Sequence, residues 1–176
     1  METFKHRELT IRIERDTEMQ ECPLDFDNTT RFVTFERNTF LSNYNKFDSP
    51  DAAVTWAEDN NFETVPLYKY EHGPVIYNTE PFACRWDSAQ VGYVLVDLSG
   101  YEPHQVAAAA KGLCEAVTTW CNGDYYGYII DLPDGTSESC WGFDDLDYCK
   151  ATAIEEVDSL ADAAQNALCE EMSTAD

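Results

Sequence analysis

The chain has 176 residues, a length suited to one domain, and it carries 34 Asp and Glu against 11 Lys and Arg for a formal net charge of −23. With 44% apolar and 13% aromatic residues it holds enough material for a packed core, which excludes wholesale disorder. Such a charge excludes binding of nucleic acid, anionic membrane or heparin through a basic patch and calls for cationic partners.

Along the chain, Leu9–Arg15 (LTIRIER) alternates with period two and reads as a strand with Leu9, Ile11 and Ile13 on one face. Residues 31–36 (RFVTFE) are a second strand candidate. Ser49-Pro50-Asp51 starts a helix, a serine cap followed by proline at the first position, leading into AAVTWAED. Residues 65–70, 91–97 and 125–132 are β-branched and aromatic runs of strand length. Pro133-Asp134-Gly135 is a tight turn that folds the last of these onto residues 136–141 as a hairpin. Helices are predicted over about 103–120 and 152–172, the second with Ile154, Val157, Ala161, Ala164 and Leu168 on its apolar face. These elements predict an α+β fold, a mainly antiparallel sheet with the two longer helices packed on one face, in a single domain over residues 1–176.

The charge is unevenly spread. Residues 1–46 hold nine acids and seven bases, whereas residues 47–176 hold 25 acids and four bases, a net of −21. Asp144, Asp145 and Asp147 cluster in a predicted loop, and Glu155, Glu156, Asp158, Asp162, Glu170 and Glu171 fall on the helix face away from the apolar stripe. Acids three or four residues apart destabilise a helix, and only Lys111 and Lys150 follow Arg85 in the sequence. Carboxylates at this spacing are suited to the basic channel in which a nuclease or repressor holds phosphates. A solvated helix face and adaptation to high salt are the simpler alternatives.

The seven cysteines contain no CxxC pair. With a charged amino-terminal stretch and no run of 18 apolar residues, they read as reduced thiols, mostly buried, in a chain without export signal or membrane span. No metal or cofactor is predicted: the acids at Asp131, Asp134 and Glu138 do not have calcium-loop spacing, and no GxGxxG or P-loop occurs. Cys84, Asp87 and Ser88 lie close together in PFACRWDSAQVGY, with His72 upstream in EHGP. A cysteine, a histidine and an orienting carboxylate are the parts of a nucleophilic site if the fold joins them. In the same block Trp86 and Trp141 read as packing anchors, and Gly92 and Gly127 as points where another element approaches a strand closely.

The residues PFACRWDSAQVG, GDYYGY and SCWGF together resemble a family of small phage and mobile-element proteins with no assigned activity. The pattern of that family runs P-F-S-C-P-W-D-S-G-Q-V-G, then G-D-V-Y-G-Y, then S-C-W-G-F. Phe82, Cys84, Trp86, Asp87, Ser88, Gln90, Val91 and Gly92 match its first element, and Ala83, Arg85 and Ala89 depart from it. The resemblance spans about half the chain and implies a mobile-element origin. Joined to the charge, it leads to a phage-type anti-defence inhibitor rather than an enzyme. Such an inhibitor would act in the host cytoplasm as an acidic nucleic-acid mimic, blocking the channel of a basic restriction or CRISPR effector. The nine acids at positions 144, 145, 147, 155, 156, 158, 162, 170 and 171 would be its contact residues. A cysteine-dependent enzyme using Cys84, His72 and Asp87, and a virion structural or assembly protein, are the alternatives.

Overall fold

A computed structural model describes the backbone of residues 1–18, 20–26, 29–37 and 39–174, and side chains as far as Asn166. In chain order the elements are β1 (Glu2–His6), β2 (Leu9–Arg15), β3 (Thr30–Thr34), α1 (Pro50–Asp59), β4 (Phe62–Glu71), β5 (Val75–Asn78), β6 (Ser88–Asp97), α2 (Val106–Asn122), β7 (Tyr126–Asp131), β8 (Ser137–Phe143) and α3 (Leu146–Thr174). The fold is α+β, with two four-stranded antiparallel sheets in place of one. Two compact units form, one from Met1–Gln20 with Gly123–Asp176 and one from Glu21–Asn122. The change in charge density at residue 46 falls inside the second. No helix among the described residues is long and apolar enough to cross a membrane.

In the first unit the strand order is β1-β2-β7-β8. The alternation of LTIRIER sends Ile11 and Ile13 to one face, opposite Ile130 and Tyr128 of β7, where α3 covers them with Cys149, Ala153 and Val157. Each fully buried isoleucine contributes about 1.5–3 kcal/mol through removal of apolar surface from water. The turn at Pro133-Asp134-Gly135 forms as its residues demand. Gly135 takes φ +86°, and the Asp134 carboxylate accepts from the Thr136 N–H at 2.9 Å and hydroxyl at 2.6 Å, which holds that carboxyl below the usual range.

The last helix differs from its prediction at both its start and its stripe. It begins at Leu146, and its buried residues are Cys149, Ala153 and Val157; Ala161 is half-buried, Ala164 exposed, and the Leu168 side chain outside those described. Length is the reason. Twenty-nine helical residues run about 43 Å, whereas strands of five to seven residues run about 17–23 Å. The sheet ends before the helix does.

In the second unit the order is β3-β6-β4-β5, and β6 is central and buried on both faces. The run Val94-Leu95-Val96 therefore has no polar position: Val94 and Val96 face α2 through Val106, Ala110, Cys114 and Val117, while Leu95 faces Ala53 and Ala57 of α1. Helices thus cover both faces, not the single face expected. Ser49 caps α1, its hydroxyl accepting from the Ala52 N–H at 3.1 Å. The short edge strand β5 is closed by α2 side chains: Asn122 bonds both the N–H (3.0 Å) and the carbonyl (2.7 Å) of Val75, and the Thr118 hydroxyl accepts from the Tyr77 N–H at 2.9 Å. Covering the edge removes a pairing template that would otherwise invite aggregation.

The six described cysteines are free. Cys22, Cys114 and Cys149 are buried as expected of small apolar side chains, but Cys121 and Cys140 are exposed and Cys84 half-buried. Burial pushes the thiols of Cys114 and Cys149 up to about 12 and about 11, which makes them poor nucleophiles.

Candidate functional site

The acids of the carboxy-terminal segment divide by what they touch. Asp145 is the cap of α3, its carboxylate accepting from the Tyr148 N–H at 2.7 Å, and Asp147 sits in the first turn, where the helix dipole favours negative charge. The predicted loop 144–147 is therefore largely a helix start. An Asp immediately before the apolar series Leu146, Cys149, Ala153 and Val157 is the signal that marks it. Asp158 and Asp162 are internally paired and are not free contact residues. Asp158 receives the His6 Nε2 at 2.8 Å and the Arg7 Nε at 2.7 Å, and Asp162 receives the Arg7 Nη1 at 2.9 Å. Asp144, Asp145, Asp147 and Glu155 are exposed and Glu156 half-buried, and none of these five forms an ion pair among the described residues. Glu170 and Glu171 belong to α3, but their side chains lie outside those described.

Those pairs explain a hairpin that the sequence does not announce. Arg7 and Glu8 connect β1 to β2 with φ +43° and +69°, the left-handed region that non-glycine residues adopt at a cost. The Arg7 guanidinium clamped to α3 holds the turn. Asp158→Ala is expected to lower the stability of this unit by about 1 kcal/mol, as its half-exposed position implies, and to leave any partner affinity unchanged. Thermal unfolding of the variant checks this, and a midpoint equal to that of the parent would show that the turn holds itself.

The same contacts partly cancel the asymmetry of charge along the sequence. Arg12 meets Asp131 at 3.0 Å, Arg15 pairs with Asp124, and Lys150 meets Glu2 at 2.6 Å. The basic amino-terminal strands are built into the unit that carries the acidic tail. That unit still holds 19 acids against five bases, a net of −14, and the Glu21–Asn122 unit holds 15 against six, a net of −9.

In the Glu21–Asn122 unit the fold does join Cys84, Asp87 and His72. The Asp87 Oδ2 accepts from the Cys84 thiol at 3.2 Å and lies 3.6 Å from the His72 Nδ1. The carboxylate is thus central. A Cys–His nucleophile places the imidazole against the sulfur with the carboxylate behind it, and the order here differs. What these contacts do is brace the loop between β5 and β6. The Ser88 hydroxyl donates to the Cys84 carbonyl, and the Asp87 carbonyl accepts from the Glu71 N–H at 2.9 Å. The braced loop holds Trp86 outward with 87% of its surface exposed. Trp86 is not the packing anchor expected, and Trp141 is one only in part: it is 43% exposed, with its ring over Gly127.

Beside this loop lies an ionic network that the sequence reading missed. The Lys69 Nζ sits between Glu36 Oε1 and Glu71 Oε2, each at 2.7 Å, with the Lys69 and Glu36 side chains only 13% and 18% exposed. Glu36 Oε2 also accepts from the hydroxyls of Thr34 at 3.3 Å and Tyr77 at 3.4 Å. Burial pulls the Lys69 ammonium down, but hydrogen bonds to Glu36 and Glu71 outweigh it and its pKa stands above the ordinary lysine value. Burial, with Glu36 nearby, raises the Tyr77 phenol strongly. The period-two placement of Lys69 and Glu71 on β4 was the available signal. An open hollow of about 330 Å³ joins Glu36, Lys69 and Glu71 to Trp86, Asp87 and Ser88. No group of three or more His, Cys, Asp or Glu side chains among the described residues is arranged to hold a metal ion.

The fold and these sites define an acidic α+β protein with a carboxylate-rich helix and a braced, tryptophan-bearing loop. Comparisons with protein-family models, with curated proteins and with solved structures return no match.

Proposed function

We propose that this protein is a phage-type anti-defence inhibitor that acts as an acidic nucleic-acid mimic and occupies the basic channel of a host restriction or CRISPR effector. The observation that carries the reading is that five of the nine candidate carboxylates form no ion pair among the described residues. Asp144, Asp145, Asp147, Glu155 and Glu156 lie on the first half of α3 and its cap, and the one lysine of that helix is held by Glu2. Desolvating paired charges gains little, but long-range attraction to an Arg- and Lys-lined channel accelerates and orients association.

Replacing these five acids by Asn and Gln keeps the cap, because Asn serves there as well as Asp. The neutralised variant is expected to lose ~10-fold or more in its ability to displace DNA or guide RNA from a susceptible effector. Inhibition by the parent should fall steeply with salt. Displacement assays over a panel of purified restriction endonucleases and CRISPR effectors at several ionic strengths read both effects. Inhibition indifferent to salt and to the five substitutions would overturn the reading.

A further inference from the structure

An indole held 87% exposed by a braced loop has the residue type most enriched among the anchors of protein interfaces. Bracing matters here. The Cys84–Asp87, Ser88–Cys84 and Glu71–Asp87 contacts order the loop before any partner arrives, so little conformational entropy remains to be lost on binding. The chemistry around the indole indicates what it meets. Three carboxylates line the adjoining hollow, Glu36 and Glu71 paired with the Lys69 ammonium and Asp87 beside the Cys84 thiol and His72. A guanidinium already takes one face of the ring: the Arg85 group lies 5.5 Å from its centroid.

We propose that Trp86 anchors a docking site for an arginine side chain of a partner protein, the indole stacking on the guanidinium while Glu71 and Asp87 balance its charge. Arginine fits better than lysine because its planar, weakly hydrated head stacks on an aromatic face and spans two carboxylates, whereas an ammonium is a compact, strongly hydrated point charge. The inference rests on the basic partner of the proposed function, and places a contact on the Glu21–Asn122 unit in addition to the acids of α3.

Fluorescence anisotropy with labelled nona-arginine and nona-lysine peptides, on the full chain, tests it. The parent is expected to prefer nona-arginine, and Trp86→Ala to weaken that peptide by roughly 3- to 30-fold and abolish the preference. Trp86→Phe should restore part of it. An unchanged thermal midpoint for Trp86→Ala, as its exposure implies, separates lost contact from lost fold. Equal binding of the two peptides by the parent, or an unaltered preference in Trp86→Ala, overturns the inference. The α3-neutralised variant keeps the two proposals apart. A Trp86-dependent preference that persists in the α3-neutralised variant, while that variant displaces nucleic acid from the effector panel as well as the parent does, sustains the docking site and sinks the mimic. Loss of that displacement on neutralising the α3 acids, with no role for Trp86 in the peptide preference, does the reverse.

Discussion

Gly92→Ala is expected to cost the Glu21–Asn122 unit about 3 kcal/mol, the upper range for overpacking a closed site. Gly92 lies on the central strand β6, opposite Thr34 of β3 and Leu67 of β4. A Cβ there would stand 1.8 Å from the Val33 carbonyl oxygen, 2.9 Å from its carbon and 3.0 Å from the Thr34 Cα. All three atoms are backbone, so no rotamer change relieves the clash and β3 must move. That strand carries Phe32 into the α2 core and Val33 into the α1 core, so both are disturbed. The position coincides with a register shift between Leu67 and Tyr68 of β4, where extra twist brings strands close. Urea unfolding compares the variant with its parent; a loss below about 1 kcal/mol would mean that the ladder tolerates the displacement. At Gly127 the nearest atoms belong to the half-exposed Trp141 ring, at 2.2 and 2.5 Å, but the Cys140 carbonyl oxygen follows at 2.8 Å, so turning the ring outward does not by itself make room. Both positions therefore need a neighbouring strand to shift, by more at Gly92 than at Gly127.

Lys69→Met is expected to destabilise the same unit by about 2–3 kcal/mol. The variant keeps the aliphatic stem but leaves the mostly buried Glu36 carboxylate with only the hydroxyls of Thr34 and Tyr77. Breaking a buried ion pair from one side exceeds the worth of the pair, because the remaining charge is uncompensated; partial exposure of Glu36 sets the lower end. The pH dependence follows from the directions of the shifts. Lys69 has a folded pKa above its ordinary value of 10.5, so its contribution is fully present at and below neutral pH. It is lost as pH rises through the higher folded value. The raised phenol of Tyr77 acts in the same sense, since the unfolded chain releases that proton first. The thiols of Cys114 and Cys121, raised from an ordinary value of 9.0, act in that sense too, so parent stability should hold level through neutral pH and fall above about pH 9. In Lys69→Met that alkaline fall should be shallower. Unfolding midpoints from pH 6 to 11 measure it, and an identical alkaline profile in the variant would rule the network out as its source.

Features that depend on neighbouring residues were legible without coordinates. LTIRIER announces a strand because alternation is local, Ser49-Pro50 a helix start because the cap is built from adjacent groups, and Pro133-Asp134-Gly135 a hairpin because its glycine takes the positive φ that the turn needs. Strand β1 was not legible. ETFKH has no apolar alternation, and it forms by pairing with β2 under a turn clamped to a helix some 150 residues further along. The candidate sites show the same division. Asp144, Asp145 and Asp147 could be picked out as a cluster, but the division into a cap, paired acids and exposed acids required knowing where Arg7 lands.

By itself the sequence determined the fold class, the capped start of α1, the turn at Pro133-Asp134-Gly135, the glycines at close approaches and the strongly anionic character of the chain. These are properties of composition and of short-range chemistry. Tertiary structure alone decided that the basic amino-terminal strands join the acidic tail, that Asp87 stands between Cys84 and His72, that Lys69 is enclosed by Glu36 and Glu71, and that Trp86 faces solvent. Each is a pairing across long stretches of chain. Burial and partner choice there are set by which strands meet, which no local pattern encodes.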